Sequence, residues 1–156
     1  MRIASFNVEN LARDKLLRAR QPIMRHQFSR LKADILCLQE VDGDHPEKST
    51  PRQLLALDEI LHETPYRHFH RVHTSGPGTT APRDKHNLAI LSRWPIKDHV
   101  QYKNDLVLPP RYKCATSAPP RSDLPIEWDR PILHARVELP TGEILQLVNM
   151  HLKAPS

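Results

Sequence analysis

With 156 residues, 38% of them hydrophobic and 26% charged, the chain carries enough apolar material for one folded domain over residues 1–156 and is too short for two ordinary ones. No apolar run of about 18 residues occurs, nor an apolar segment behind a basic N-terminus, so neither a helical membrane span nor a signal peptide is visible. Two cysteines, Cys37 and Cys114, do not make a disulfide framework, which suits a reducing, cytoplasmic location, and the net charge of +5 with a pI near 9.5 favours an anionic partner.

Taken in order, Arg2 to Asn7 reads as a short strand with Asn7 at its end. A helix is expected from Pro22, because proline suits a first turn and Ile23, Met24, Phe28 and Leu31 follow at near-helical spacing. The run Ile35-Leu36-Cys37-Leu38 has no polar alternation, so it reads as a strand buried on both faces, with Cys37 as a small apolar side chain. Thr50-Pro51-Arg52-Gln53 predicts a capped second helix with Leu54, Leu57, Ile60 and Leu61 on its buried stripe, stopped by Pro65.

Tyr66 to His73 alternates like a half-buried or edge strand, followed by a loop over 74–85. Asn87 to Ser92 is a second apolar strand, and Ile96 to Tyr102 is expected to pair beside it. Six of the fifteen prolines fall between 104 and 131, which predicts a long surface excursion. Ile132–Leu139 and Ile144–Met150 flank Pro140-Thr141-Gly142 as a closing hairpin. Strands outnumber helices, and both helices lie early, between strands. That is an α/β (α+β) pattern: a mixed, largely antiparallel sheet with helices on one face.

Chemistry concentrates at strand ends. Glu40 stands at the tip of the most apolar strand, where rigid backbone holds its carboxylate in place. An ionised carboxylate at a dry position requires a cation, a backbone donor or water. Asn7, Asn149 and His151 also end apolar strands. If these ends converge, one carboxylate with amide oxygens and water makes an oxygen-rich set suited to Mg²⁺ or Mn²⁺ that shares its shell with a substrate phosphate. His68, His70 and His73 alternate in sequence but supply no third ligand on one face, and are expected to be a solvated strand face.

Four segments carry a family resemblance. Ser5-Phe6-Asn7-Val8-Glu9-Asn10, Ala33-Asp34-Ile35-Leu36-Cys37-Leu38-Gln39-Glu40-Val41, Asn87-Leu88-Ala89-Ile90-Leu91-Ser92-Arg93 and Asn149-Met150-His151-Leu152-Lys153 resemble, in order, signatures of the endonuclease/exonuclease/phosphatase superfamily, which includes DNase I. The resemblance implies a metal-dependent phosphoesterase, a phosphodiesterase or nuclease first, using Mg²⁺ or Mn²⁺. Glu40 is then the metal ligand. Asn7 and His151 are the catalytic residues at the metal shell and scissile phosphate, and Asn149, Asn87 and Arg93 contact substrate. Alternatives are a lipid or inositol phosphate hydrolase, and a non-catalytic anion- or protein-binding module.

The resemblance also implies a four-layer α/β/β/α sandwich, of which this chain supplies the N-terminal half. The family's Gly-Asp-x-Asn and Ser-Asp-His motifs are not found, and Asp44-His45 and Asp98-His99 stand in the wrong context to replace the base. The chain alone is therefore expected to be inactive. Ile35–Leu38 and Leu88–Leu91 are expected to keep one face bare, to be covered by the missing half or by a second chain. The partner is expected to be a phosphate-containing substrate, and the basic pI favours nucleic acid. Arg111, Lys113, Arg121 and Arg130 could meet a phosphate backbone, although Asp105, Asp123, Glu127 and Asp129 nearly cancel their charge.

Overall fold

The computed structural model describes residues 1–105, 107–113, 115–116, 123–128 and 130–152. Arg121 and Asp129 of the proline-rich segment, together with Cys114 and Lys153, lie outside the described residues. Nine strands and two helices follow in the order β1 Ile3–Leu11, α1 Leu17–Leu31, β2 Ile35–Val41, α2 Leu55–Leu61, β3 His70–His73, β4 Asn87–Ser92, β5 Ile96–Tyr102, β6 Arg111–Tyr112, β7 Leu124–Pro125, β8 Ile132–Glu138 and β9 Ile144–Asn149.

Two sheets result. The first is mixed, in the order β1-β2-β4-β3, with β1 parallel to β2 and the other pairs antiparallel. The second is antiparallel, in the order β5-β8-β9, while β6 and β7 form a separate two-stranded ladder inside the proline-rich segment. Alternation along β2 and β4 explains the layering. Leu36, Leu38, Ala89 and Leu91 face α1 and α2, packing with Phe28, Leu57 and Ile60. Ile35, Cys37, Leu88 and Ile90 face the other way, against Leu133, Ala135, Val137 and Leu147 of the second sheet.

The bare face expected on β2 and β4 is therefore covered from within the chain. Ile35, Leu88 and Ile90 are fully buried, and burying each such side chain contributes about 1.5–3 kcal/mol. This drives the β8–β9 hairpin onto the sheet. On β1 the same face stays open, and Ile3 is 46% exposed.

Four local expectations differ from the structure. Helix α1 begins before Pro22, because Asp14 Oδ1 accepts from the amides of Leu16 (2.8 Å) and Leu17 (3.1 Å) and Leu17 is buried. Ile23 then points outward, 61% exposed. The capping box at Thr50 does not form: Thr50 Oγ1 bonds Glu47, and Gln53 exchanges backbone bonds of 2.8 and 2.9 Å with Asp44. Helix α2 consequently starts at Leu55. Pro65 to His68 is a short 3-10 helix, so His68 and His70 share no strand face. Tyr66 is buried there, accepting from Ala33 N at 2.9 Å and donating to Phe28 O at 3.1 Å.

Strand β5 pairs with β8 rather than β4. Both edges of β4 are already taken by β2 and β3, so after Pro95 the chain passes to the other sheet.

Candidate active site

Backbone strain marks one edge of the structure. Glu40 has φ +64°, and opposite it on β1 Glu9 and Asn10 have φ +51° and +49°. The ladder slips at both places, between Asn7 and Leu11 and between Leu38 and Val41. A regular strand would send Glu40 to the face of Leu36 and Leu38, into the apolar core. The bulge re-aims it to the sheet edge, a use that bulges serve near functional sites.

There Glu40 gathers partners. Asn7 Nδ2 donates to Oε1 at 3.4 Å and the Asn10 amide to Oε2 at 3.0 Å. His151 Nε2 lies 3.5 Å from Oε1 and 3.5 Å from Asn7 Nδ2, and Arg130 Nη1 lies 3.8 Å from Oε1. Arg130 also contacts His151 Nδ1. Burial works against the charge on Glu40, but the bonds from Asn7 and Asn10 and the neighbouring His151 and Arg130 outweigh it, holding the carboxyl below its ordinary value. Burial, then the Arg130 charge, lowers His151 against the pull of Glu40. His151 therefore takes up a proton less readily than an ordinary imidazole.

Asn7, Glu40 and His151 therefore meet at one edge. Asn7 turns its amide nitrogen to Glu40, because its Oδ1 accepts from Glu9 N at 2.8 Å. Asn149 sits beneath them, 3% exposed, donating to Leu38 O at 2.9 Å and Ala89 O at 3.1 Å and accepting from Gln39 Nε2 at 2.7 Å. It ties β9 to the first sheet and so places His151. Asn87 is fully buried and holds the turn ahead of β4, donating to Val41 O at 2.9 Å and Arg83 O at 2.8 Å. Arg93 does not join them: it lies at the other end of β4 and pairs with Asp34 at 3.0 Å.

Arg130 is the residue that sequence patterns hid. They group it with the exposed charges of the proline-rich segment, whereas its side chain is only 13% exposed at the centre of the site. The usable signal was its position immediately ahead of Pro131 and the apolar strand β8. The buried polar atoms without partners among the described residues, Asp44 Oδ2, Arg52 Nε, His86 Nδ1 and Arg130 Nε, all belong to the loops around this edge. By contrast, burial pushes the Cys37 thiol up to about 11, which leaves it inert.

Among the described residues no three His, Cys, Asp or Glu side chains come together as a complete metal site. Glu40 offers a deprotonated, partly enclosed carboxylate with an amide neighbour. Such a donor set fits an Mg²⁺ or Mn²⁺ ion that completes its shell with waters and substrate phosphate. Beside it, a hollow of about 350 Å³ runs along Ile126, Trp128, Met150 and Leu152, bordered by Arg130 and His151.

Residues 4–149 match the profile of the Endonuclease/Exonuclease/phosphatase family. Among solved structures the chain is similar to an endonuclease/exonuclease/phosphatase family protein from Leptotrichia buccalis, with TM-score 0.59 and 16% identity over 99% of this chain and 56% of that one. It is also similar to an endonuclease/exonuclease/phosphatase from Beutenbergia cavernae, with TM-score 0.50 and 20% identity over 99% of this chain and 39% of that one. These likenesses show the fold, and the chain spans about half or less of each protein's length. No curated protein matches it.

Proposed function

This chain belongs to the endonuclease/exonuclease/phosphatase family, whose members are metal-dependent phosphoesterases, and on that premise we propose that its strand-end site binds the scissile phosphate of a phosphodiester, with nucleic acid as the substrate. The observation that carries the reading is the convergence of Asn7, Glu40, Arg130 and His151 within 3.8 Å contacts at one sheet edge. Glu40 would hold Mg²⁺ or Mn²⁺, which when bound supplies charge stabilisation to the phosphate. Asn7 and the Asn10 amide orient Glu40. Arg130 offers a planar, permanently charged donor set matched to phosphate oxygens, and His151 offers a ring nitrogen to the leaving oxygen.

Trp128 and the apolar hollow beside His151 support a flat, apolar group next to the phosphate, as a nucleobase would be. An inositol ring, polar on all sides, gains less from such a surface. The water-activating base has no candidate in this chain, so residues 1–156 alone are proposed to be inactive. Further polypeptide over the open face of β1 would complete the site.

Hydrolysis of DNA, RNA and bis(p-nitrophenyl) phosphate with Mn²⁺ tests this, by the natural polypeptide that carries the chain and by residues 1–156 alone. Turnover in the first that vanishes with Glu40→Gln, and none in the second, is expected. Glu40-dependent turnover by residues 1–156 alone would place the base inside this chain. Turnover indifferent to Glu40→Gln would remove the reading.

A further inference from the structure

Next to the Glu40 edge lies a smaller cavity of about 210 Å³, lined by Arg83, Asp84, Lys85, His86 and Arg130. It is below the roughly 300–1,000 Å³ of pockets that take drug-sized ligands, and suits a single small group. Its wall is the turn ahead of β4, which is locked rather than loose. Asn87 Oδ1 accepts from Arg83 N at 2.8 Å and its Nδ2 donates to Arg83 O at 2.8 Å. The Gly43 amide donates to Asp84 O at 2.9 Å, and His86 N to Asp42 Oδ1 at 2.9 Å.

Gly43 permits this approach, because a Cβ there would stand 2.4 Å from Arg83 O. His86 takes φ +57° to complete the turn. Of the acids here, Asp84 is drawn to Arg52 at 3.0 Å and Asp42 is held by the His86 amide. Lys85 is exposed, with the Asp42 carboxylate as its charged neighbour. A strained, backbone-anchored turn that presents basic side chains to a small cavity also lined by Arg130 is organised for an anion.

We infer that the turn Arg83–His86 and Arg130 form a second phosphate-binding pocket, contiguous with the Glu40–His151 edge through Arg130, so that the substrate carries at least two phosphates. The inference rests on the proposed reading of that edge as the scissile-phosphate site. Arg130 faces both positions, which sets the two phosphates on either side of one guanidinium. The second phosphate is either the adjacent phosphodiester of a nucleic-acid strand or a further phosphate on a small polyphosphorylated molecule.

The test is binding to this chain, followed by amide NMR shifts without metal so that no turnover intervenes. Paired probes are a dinucleotide with one phosphodiester against a trinucleotide with two, and inositol monophosphate against an inositol bisphosphate. In one pair or the other the two-phosphate probe is expected to bind about tenfold more tightly, as a charge-assisted hydrogen bond allows. Lys85→Ala is expected to remove that margin and leave the one-phosphate probe unchanged, with Lys85→Arg restoring it.

For the trinucleotide, Lys85→Ala should also lower the slope of log affinity against log salt by about 0.7. A margin in the nucleotide pair identifies a strand, and one in the inositol pair identifies a small polyphosphate. No margin in either pair, or one indifferent to Lys85→Ala, overturns the second pocket. One-phosphate binding that ignores both His151→Ala and Arg130→Gln overturns the primary site instead, so the two failures are distinct.

Discussion

Arg130 Nη1 stands 3.8 Å from Glu40 Oε1, and the two side chains are only 13% and 14% exposed. On the proposed reading, this guanidinium and a divalent ion would share one carboxylate. At about 4 Å, two like charges in a partly enclosed site repel by a few kcal/mol, roughly. Arg130→Gln should therefore strengthen Mn²⁺ binding by about tenfold or more while weakening phosphate binding. The bound fraction of Mn²⁺ read by EPR, with and without inorganic phosphate, checks both signs. Equal loss of both would make Arg130 a packing residue.

Glu40→Gln keeps shape and removes charge. It should abolish Mn²⁺ binding and, in the natural polypeptide, activity, while thermal stability falls only modestly, because the Gln oxygen can still accept from one of the two donors, Asn7 Nδ2 or the Asn10 amide. A retained Mn²⁺ affinity within a few-fold would show that another residue holds the ion.

Asn149→Ala should be costly for a structural reason. It orphans the Leu38 and Ala89 carbonyls and the Gln39 amide in a buried position, at about 1–3 kcal/mol for each group left unpaired. Urea unfolding should show a lower midpoint with an unchanged slope. His151 loses its support at the same time, so phosphate binding should fall with stability. A variant as stable as wild type would contradict the tie between the sheets.

Acid should weaken the fold through His73. Burial lowers its pKa from 6.5, with Arg71 and His99 pushing the same way and the bond to Thr74 and the charge on Asp58 opposing. The folded state therefore binds this proton less readily than the unfolded chain. Stability carried by neutral His73 is complete above 6.5 and is lost as the pH falls through the lower folded value. The melting temperature should drop between pH 7.5 and 5, and His73→Gln should flatten part of that drop. His151 acts in the same direction. An unchanged slope in His73→Gln would assign the effect elsewhere.

Much of the site was legible in the chain because strand ends announce themselves. An apolar run that turns polar at Gln39-Glu40, and another ending at Asn149, locate rigid edges without any coordinates, whereas β1 runs past the expected end at Asn7 to Leu11. Periodicity likewise placed β2, β4, β8 and β9, since burial on one or both faces leaves a direct mark on residue order. Local rules failed where a competing bond decided. Thr50 satisfied Glu47 instead of capping a helix, and Asp14 started α1 ahead of Pro22.

Partnership between distant segments was decided only in three dimensions. Nothing in Ile96–Tyr102 says that it pairs with β8 across the 29 residues of 103–131 rather than with its neighbour β4; the occupied edges of β4 settle that. The same crossing folds the hairpin over Ile35, Leu88 and Ile90 and closes a face that sequence alone left bare. It also carries Arg130 from a stretch of mixed charges to the side of Glu40. Sequence determined which residues are apolar, where backbone stiffens and where charge is available. Tertiary structure decided which of those charges stand together, because proximity between strands is set by packing the whole core and by no local pattern.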